Sequence, residues 1–401
     1  MYALSRSHQV QPTSVLRLSA CTCRSFSASA HLSRFEPTLP RVAVLYQELD
    51  PPLINGIRKP KKPGGYKDSG ADIAYVLKYR CGLDVVTPSS SPDPWNDADW
   101  VFGDTESSIL SAVNQRATHL WANTILFANH PLQTSKKLNE AAKHLKIVGQ
   151  PPKLVELYDD KNYVNELLRL KGGYKLPSAQ LVRNEDELAN VLSSRRQFPV
   201  VGKPVRGRGS HGVKVCRTGE ELHNHCKDLL SQQSSVIVED YLPGVEGTIT
   251  VMPPSQTSGI SDYWAMPVVE RFNHADGIAP YNGAVAVTQN SRLVTAEEHE
   301  RDPNYGDIQR QCVEAATLLQ TTAPIRVDVR RISEAKSSPF ALFDVNMKPN
   351  MTGPGRKGRE NQASLTALAA AGVGWDYPTL LSKILESSSA LHDLRNVHPP
   401  K

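Results

Sequence analysis

The stretch 199–215, PVVGKPVRGRGSHGVKV, constrains this chain more than any other. Pro199, Val200 and Val201 form an apolar run ending at Lys203, and Val213 and Val215 resume alternating apolar character. Between them lie Gly207, Gly209, Ser210 and Gly212, with Arg206 and Arg208 interspersed. The pattern predicts strand, glycine-rich loop, strand. Glycines let backbone approach a ligand and turn N–H groups toward an anion, and Lys203 at the mouth adds a point charge suited to phosphate. An ordinary glycine-rich hairpin reads the same way, so the stretch alone leaves both open. The order is not GxxxxGK[ST], and no long apolar helix follows the glycines, which excludes a P-loop and a dinucleotide fingerprint.

The chain has 401 residues, 39% hydrophobic and 22% charged, which fits a globular enzyme of two or three domains. A net charge of +5 is too mild to imply nucleic acid. No apolar run approaches the ~18 residues that span a membrane. The six cysteines, at 21, 23, 81, 216, 226 and 312, have neither zinc nor disulfide spacing, so a reducing compartment is expected. His223, His225 and Cys226 sit at helical spacing without a fourth ligand, which argues against a metal there, and His211 is expected only to line the lid. Residues 1–35 carry Arg6, Arg17, Arg24 and Arg34 and many serines, with no acid before Glu36. That composition marks a mitochondrial transit peptide, with RSFSASA at 24–30 as its cleavage region; the matrix is the expected location and the cytoplasm the alternative.

Residues 36–150 alternate strand and helix signals. RVAVLY at 41–46 reads as a buried strand. A basic Pro/Gly-rich loop follows, with Arg58, Lys59, Lys61 and Lys62, and then a helix capped by Ser69 and running to Tyr79. Further strands are expected at 83–86, 99–102, 120–127 and 146–148, with helices at 104–116 and 138–145, so a small parallel sheet is predicted. Beyond residue 150, Asp160 and Lys161 open a helix to about Leu170, with acidic residues at its positive end. Helices at 185–192 and 220–230 and strands at 236–242, 247–252, 265–269 and 284–287 follow. A helix at 307–319 has apolar spacing at Ile308, Cys312, Ala315 and Leu319; strands at 325–329 and 340–345 then read as a hairpin. The last helices are expected at 362–371 and 377–385. The expected class is α/β, shading to α+β in the C-terminal part.

Asp328 lies mid-strand, while Asp344 and Asn346 are two apart on the next strand and so share a face. If the two strands pair, two carboxylates and an amide oxygen make a hard-oxygen site for Mg²⁺, completed by substrate phosphates. Each of these residues taken singly also suits a strand-end turn.

From about Tyr158 onward the chain resembles the ATP-grasp superfamily, and within it the D-alanine–D-alanine ligase family. The motifs are Asp160-Lys161, KPVRGRGSHGV at 203–213, VIVEDYLPGVE at 236–246, RVDVR at 326–330 and FDVNMKPNMT at 343–352, in the family's order. The resemblance implies an ATP-grasp fold preceded by a small Rossmann-like pre-ATP-grasp domain. It sets domains at 36–150, 151–242 for the lid and 243–390 for the catalytic part. It implies that Lys161, Lys203, Gly207, Gly209 and Ser210 contact ATP phosphates, that Glu239 and Leu242 sit at the adenine, and that Glu246 accepts from the ribose. Asp328, Asp344 and Asn346 would hold Mg²⁺, with Mn²⁺ as alternative, and Arg326 with Lys203 would stabilise the transferring phosphoryl. Arg356 and Arg359 sit where a substrate carboxylate could dock in bidentate fashion, and a solvated basic loop reads the same way.

The sequence also departs from the family. Asp344 stands for the usual Glu and Asn350 for the Gly of PGMT; a lysine near Tyr281 is replaced by Ala284; and the N-terminal loop that holds the first D-alanine is not recognisable. The expected activity is therefore ATP- and Mg-dependent joining of a small-molecule carboxylate to an amine through an acyl phosphate, with the substrates open. A homodimer is an expected assembly, with no nucleic acid or membrane partner. The alternatives are an ATP-binding sensor that has lost turnover, or another ATP-grasp enzyme such as a carboxylase.

Overall fold

The apolar run Arg41–Tyr46 forms strand β1, and its period-two alternation sets the layers of the N-terminal part. Val42 and Val44 enter one buried cluster with Ile73, Ala74 and Leu77, while Ala43 and Leu45 enter another with Ile109, Leu120 and Ile147. Both faces are thus covered, as a parallel sheet requires. The structure is a computed structural model describing residues 39–54, 56–59, 61–207, 209–274, 276–278 and 287–400. The expected leader, Arg208 of the glycine loop, and the segment with Tyr281, Asn282, Gly283 and Ala284 lie outside the described residues.

Helix α1 (Lys67–Tyr79) follows the basic loop and covers one face of the sheet. Its N-cap is Tyr66, in the left-handed region at φ 65°, not Ser69, which is buried one turn inside. Strands β2 (Asp84–Val85) and β3 (Phe102–Gly103) pair in parallel with β1 on one edge, and β4 (His119–Asn123) pairs along Val42–Tyr46 on the other. Strand β5 (Lys146–Val148) continues in parallel beside β4. The chain therefore leaves β1 toward one side and later crosses to the other. That reversal opens a crevice at the carboxyl ends of β1 and β4.

Helix α2 (Lys161–Lys171) is preceded by a helix at Pro152–Tyr158 that the sequence reading missed. The helix expected at 138–145 resolves into two short 3₁₀ turns, Lys136–Leu138 and Ala141–Lys143. The lid sheet comprises β6 (Ala179–Val182), β7 (Val200–Pro204), β8 (Lys214–Cys216) and β9 (Val236–Asp240), antiparallel in the order β8-β7-β9-β6. Helix α3 (Gly219–Gln232) covers it, burying Leu222, Cys226 and Leu229 against Val200, Val236 and Val238.

In the catalytic sheet, β10 (Glu246–Met252) lies between β11 (Val269–Arg271) and β12 (Ile325–Arg331), and β13 (Phe340–Asn346) flanks β12, all antiparallel. Helix α4 (Pro303–Leu318) packs beneath. Ile308, Cys312, Ala315 and Leu319, the spacing read from sequence, meet Ile249, Val251, Val327 and Val329 there. Helix α5 (Tyr377–Glu386) joins the N-terminal core beside α1. It is not the last element: β14 (Ser389–Ala390) returns antiparallel to β5, and a helix at Leu391–Asn396 buries Leu391 and Leu394. Two residues of strand carry no readable period, which is why the sequence hid this closure.

Candidate active site

One cleft of about 1380 Å³ runs along the lid sheet, the catalytic sheet and the crevice at the ends of β1 and β4. Every phosphate, adenine, ribose and metal residue expected from the sequence lines it, although these come from positions 161 to 346.

The floor is acidic. Asp328 and Asp344 are direct cross-strand partners in β12 and β13. Opposed like charges are costly unless cations join them. Asp328 is buried and fully engaged: Oδ1 accepts from Thr248 Oγ1 at 2.7 Å and from Arg326 Nε at 2.9 Å, while Oδ2 accepts from an Arg326 terminal nitrogen and from Asn346 Nδ2, both at 3.0 Å. Asp344 is ion-paired with Lys161. Burial opposes ionisation of Asp344, but the charges of Lys161 and Lys203 outweigh it and hold the carboxyl below its usual range. Two carboxylates and the Asn346 amide oxygen are a hard donor set in the same cleft as the glycine loop, so they fit a divalent cation that keeps oxygen ligands.

Two lysines reach this floor from the lid side. Asp160 caps α2 by accepting from the Tyr163 amide at 2.9 Å. The Lys161 amide donates to Val205 O at 3.0 Å, which ties the start of α2 to the glycine loop. Lys203 on β7 is 3% exposed. Its ammonium lies 2.6 Å from Glu239 Oε1 on neighbouring β9 and donates to Phe343 O at 3.1 Å. Burial pushes the Glu239 carboxyl up, and Lys203 offsets only part of this. Glu239 Oε2 is buried without a hydrogen-bond partner among the described residues, an unmet acceptor on a residue that lines the cleft.

The glycine loop turns through left-handed positions at Gly209 (φ 60°), Ser210 (φ 58°) and Gly212 (φ 74°). From α3, His225 Nε2 lies 3.2 Å from Gly202 O and 3.1 Å from Gly212 O, so that histidine pins both ends of the loop rather than a metal. Cys226 belongs to the lid core, where burial pushes its thiol up to about 12. No group of three His, Cys, Asp or Glu poised for a metal is found among the described residues. At the far end of the cleft, Glu246 starts β10 and is buried, with His274 Nε2 at 3.0 Å and Arg330 at 3.8 Å. Leu242 is buried on the connection between lid and catalytic sheet.

Arg356 and Arg359 correct the sequence reading. Neither lines the cleft. Arg356 is 2% exposed; its Nε lies 2.9 Å from Asp72 Oδ1 and another guanidinium nitrogen 2.6 Å from Asp97 Oδ1. Arg359 meets Asp72 at 2.6 Å and Asp68 at 3.1 Å. The carboxylates these arginines bind are the chain's own, on and near α1. The contact depends on Gly355, where an added Cβ would stand 2.3 Å from Asp72 Cγ.

The sequence reading missed the opposite wall. Gln47 at the end of β1, Tyr66 at the start of α1, and Lys348 just beyond β13 also line the cleft, as do Arg58, Lys59, Lys61 and Lys62 of the basic loop. The run of positive charge at 58–62 was its only visible signal.

Comparison with known proteins sets this geometry in a family. Residues 174–386 match the family model described as D-ala D-ala ligase C-terminus. D-alanine–D-alanine ligase A of Bacillus cereus is 26% identical over 229 residues, covering 57% of this chain and 67% of that protein. The D-alanine–D-alanine ligase of Aquifex aeolicus is 26% identical over 226 residues, 56% of this chain and 68% of the relative. The sequence match thus spans about two thirds of these relatives. Among solved structures, D-alanine–D-alanine ligase from Bacillus anthracis complexed with ATP superposes with a TM-score of 0.58 at 17% identity, covering 90% of this chain and 99% of that one. VanG D-Ala:D-Ser ligase from Enterococcus faecalis gives 0.56 at 16% identity, covering 86% and 98%. These two likenesses concern the fold.

Proposed function

The chain belongs to the D-alanine–D-alanine ligase family, and from that premise we propose that it is an ATP-dependent carboxylate–amine ligase whose chemistry takes place on the floor formed by Asp328 and Asp344. The observation that carries the reading is the pairing of each floor carboxylate with a cation in one cleft: Arg326 with Asp328, and Lys161 with Asp344. A nucleotide phosphate offers those cations a new partner, and a divalent ion offers the carboxylates one.

In this reading Lys161, Lys203 and the glycine loop hold the triphosphate, and the unmet Glu239 Oε2 accepts from the adenine. Glu246, at the far end of the cleft, takes the ribose hydroxyls. Mg²⁺, when bound by Asp328, Asp344 and Asn346, supplies charge neutralisation between phosphate and substrate. The γ-phosphoryl passes to an oxygen of the substrate carboxylate as its bond to the β-phosphate bridging oxygen breaks, giving ADP and an acyl phosphate. Arg326 stabilises the negative charge on the phosphoryl oxygens. The amine nitrogen then attacks the acyl carbon, loses a proton, and inorganic phosphate leaves. Closure of the glycine loop excludes water, which would otherwise hydrolyse the acyl phosphate.

The test is calorimetric titration with ATP and Mg²⁺, followed by ADP release with panels of acids and amines and mass analysis of the product. The reading expects ADP release that depends on both substrates, and a product of acid plus amine minus water. Tight ATP binding with no turnover across the panels would favour a sensor instead.

A further inference from the structure

We infer that Arg330 is a positioning residue for the nucleotide: it fixes the ribose end of the cleft by joining the lid connection, the catalytic sheet and the segment 276–278 beside Glu246. This deepens the ligase reading and rests on it. Arg330 on β12 is the direct cross-strand partner of Glu246 on β10, so the two side chains share one face of the sheet. Both line the cleft, as do Tyr241, Leu242 and Gly277.

The guanidinium meets three separate parts of the chain. Nε donates to Gly244 O at 3.0 Å, Nη1 to Gly277 O at 2.8 Å and Nη2 to Tyr241 Oη at 3.1 Å. Tyr241 and Gly244 lie on the connection between lid strand β9 and catalytic strand β10. That connection has no slack at Gly244, where an added Cβ would stand 2.3 Å from Ser333 O just beyond β12. Gly277 lies on the segment that follows β11, and it abuts the lid. A Cβ added there would stand 2.9 Å from Tyr241 Oη and 3.3 Å from Cγ2 of Val215 on β8. The nitrogen that holds Gly277 O also lies 3.8 Å from Glu246 Oε2, so one atom is within reach of both the segment and the carboxylate assigned to the ribose. The Arg330 side chain is 11% exposed, which shields these contacts from water. A planar guanidinium satisfies three acceptors in fixed directions at once, which an ammonium on a flexible stem does not. Losing the fork therefore releases Tyr241 and the 276–278 segment and removes the cross-strand cation from Glu246. The phosphate end of the cleft keeps Lys161, Lys203 and the acidic floor.

The experiment is calorimetry on the full chain with Mg²⁺ and three probes: ATP, 2′,3′-dideoxy-ATP, which lacks the ribose hydroxyls, and inorganic tripolyphosphate, which lacks ribose and base. The unmodified protein should bind ATP several-fold more tightly than the dideoxy nucleotide. Arg330→Leu should weaken ATP roughly tenfold or more, the loss expected when hydrogen bonds from a charged group are removed. It should also bring the two nucleotides within twofold of each other and leave tripolyphosphate affinity within twofold of the parent. Arg330→Lys should not restore ATP affinity, because it returns the charge without the fork. Gly277→Ala perturbs the same contact without touching β12, since φ is 80° there and the new methyl meets Tyr241; it should repeat the selective loss and decides the matter if Arg330→Leu fails to fold. Tripolyphosphate affinity that falls together with ATP affinity, or ATP affinity unmoved in both variants, overturns the inference while the ligase reading stands. Absence of ATP binding in the unmodified protein overturns the ligase reading itself.

Discussion

At the scale of single residues the site is a set of charges that neutralise one another until ligand arrives. Asp344 shows this most directly. It is held ionised by Lys161 and Lys203 against the cost of burial, so Asp344→Asn should lower ADP release by about 100-fold or more, the loss expected when a preorganised charge is removed from such a site. Because asparagine keeps the shape, far-UV circular dichroism of that variant should match the parent. The arginines of the 354–359 loop have a different role. Arg356 and its partner Asp72 are 2% and 0% exposed at their side chains, and breaking a buried pair strands a charge at about 3–5 kcal/mol. Arg356→Met should therefore show its effect in urea unfolding, while calorimetry on the folded fraction finds ATP affinity unchanged. The two variants separate a carboxylate of the cleft floor from a guanidinium that braces α1, placements that were indistinguishable while both were only charged letters near a motif.

At the scale of elements, titration follows strand placement. His119 opens β4 opposite Lys146 of β5. Burial, followed by the charge of Lys146, lowers its imidazole from an ordinary 6.5 to about 4. The unfolded chain then takes up a proton first as pH falls, so folded stability is lost between about pH 6.5 and pH 4. Because the ring is only partly buried, screening limits the contribution to no more than about 2 kcal/mol. His119→Gln should flatten that part of the stability profile, as read by urea midpoints at pH 7 and pH 5. The elements also show what periodicity can carry. The apolar spacing of α4 and the hairpin of β12 and β13 were legible because long, regular patterns name the buried face. The cap of α1 was not, because Tyr66 takes a left-handed conformation that no capping side chain announces. The closing strand β14 is two residues long and has no pattern to read.

At the scale of the whole molecule, ligand binding and stability are one equilibrium. A nucleotide that contacts both the glycine loop and the acidic floor binds only the folded chain. ATP with Mg²⁺ at 100 times its dissociation constant should then add about 2.7 kcal/mol of stability, visible as a rise in the thermal midpoint. Asp328→Asn should remove most of that rise, because the variant lacks a floor carboxylate. The strand–glycine–strand stretch, the period-two placement of Asp344 and Asn346, and the order of the motifs are local properties, so the chain's letters alone determined the fold family and most of the residues that gather along one cleft. What only tertiary structure decided is which charges meet. Arg356 finds Asp72 across 284 positions, and Lys348 finds Asn123 across 225. The first clamps the 354–359 loop to α1 and the second ties the segment beyond β13 to the end of β4, because a charge acts through distance in space and sequence separation carries no record of it.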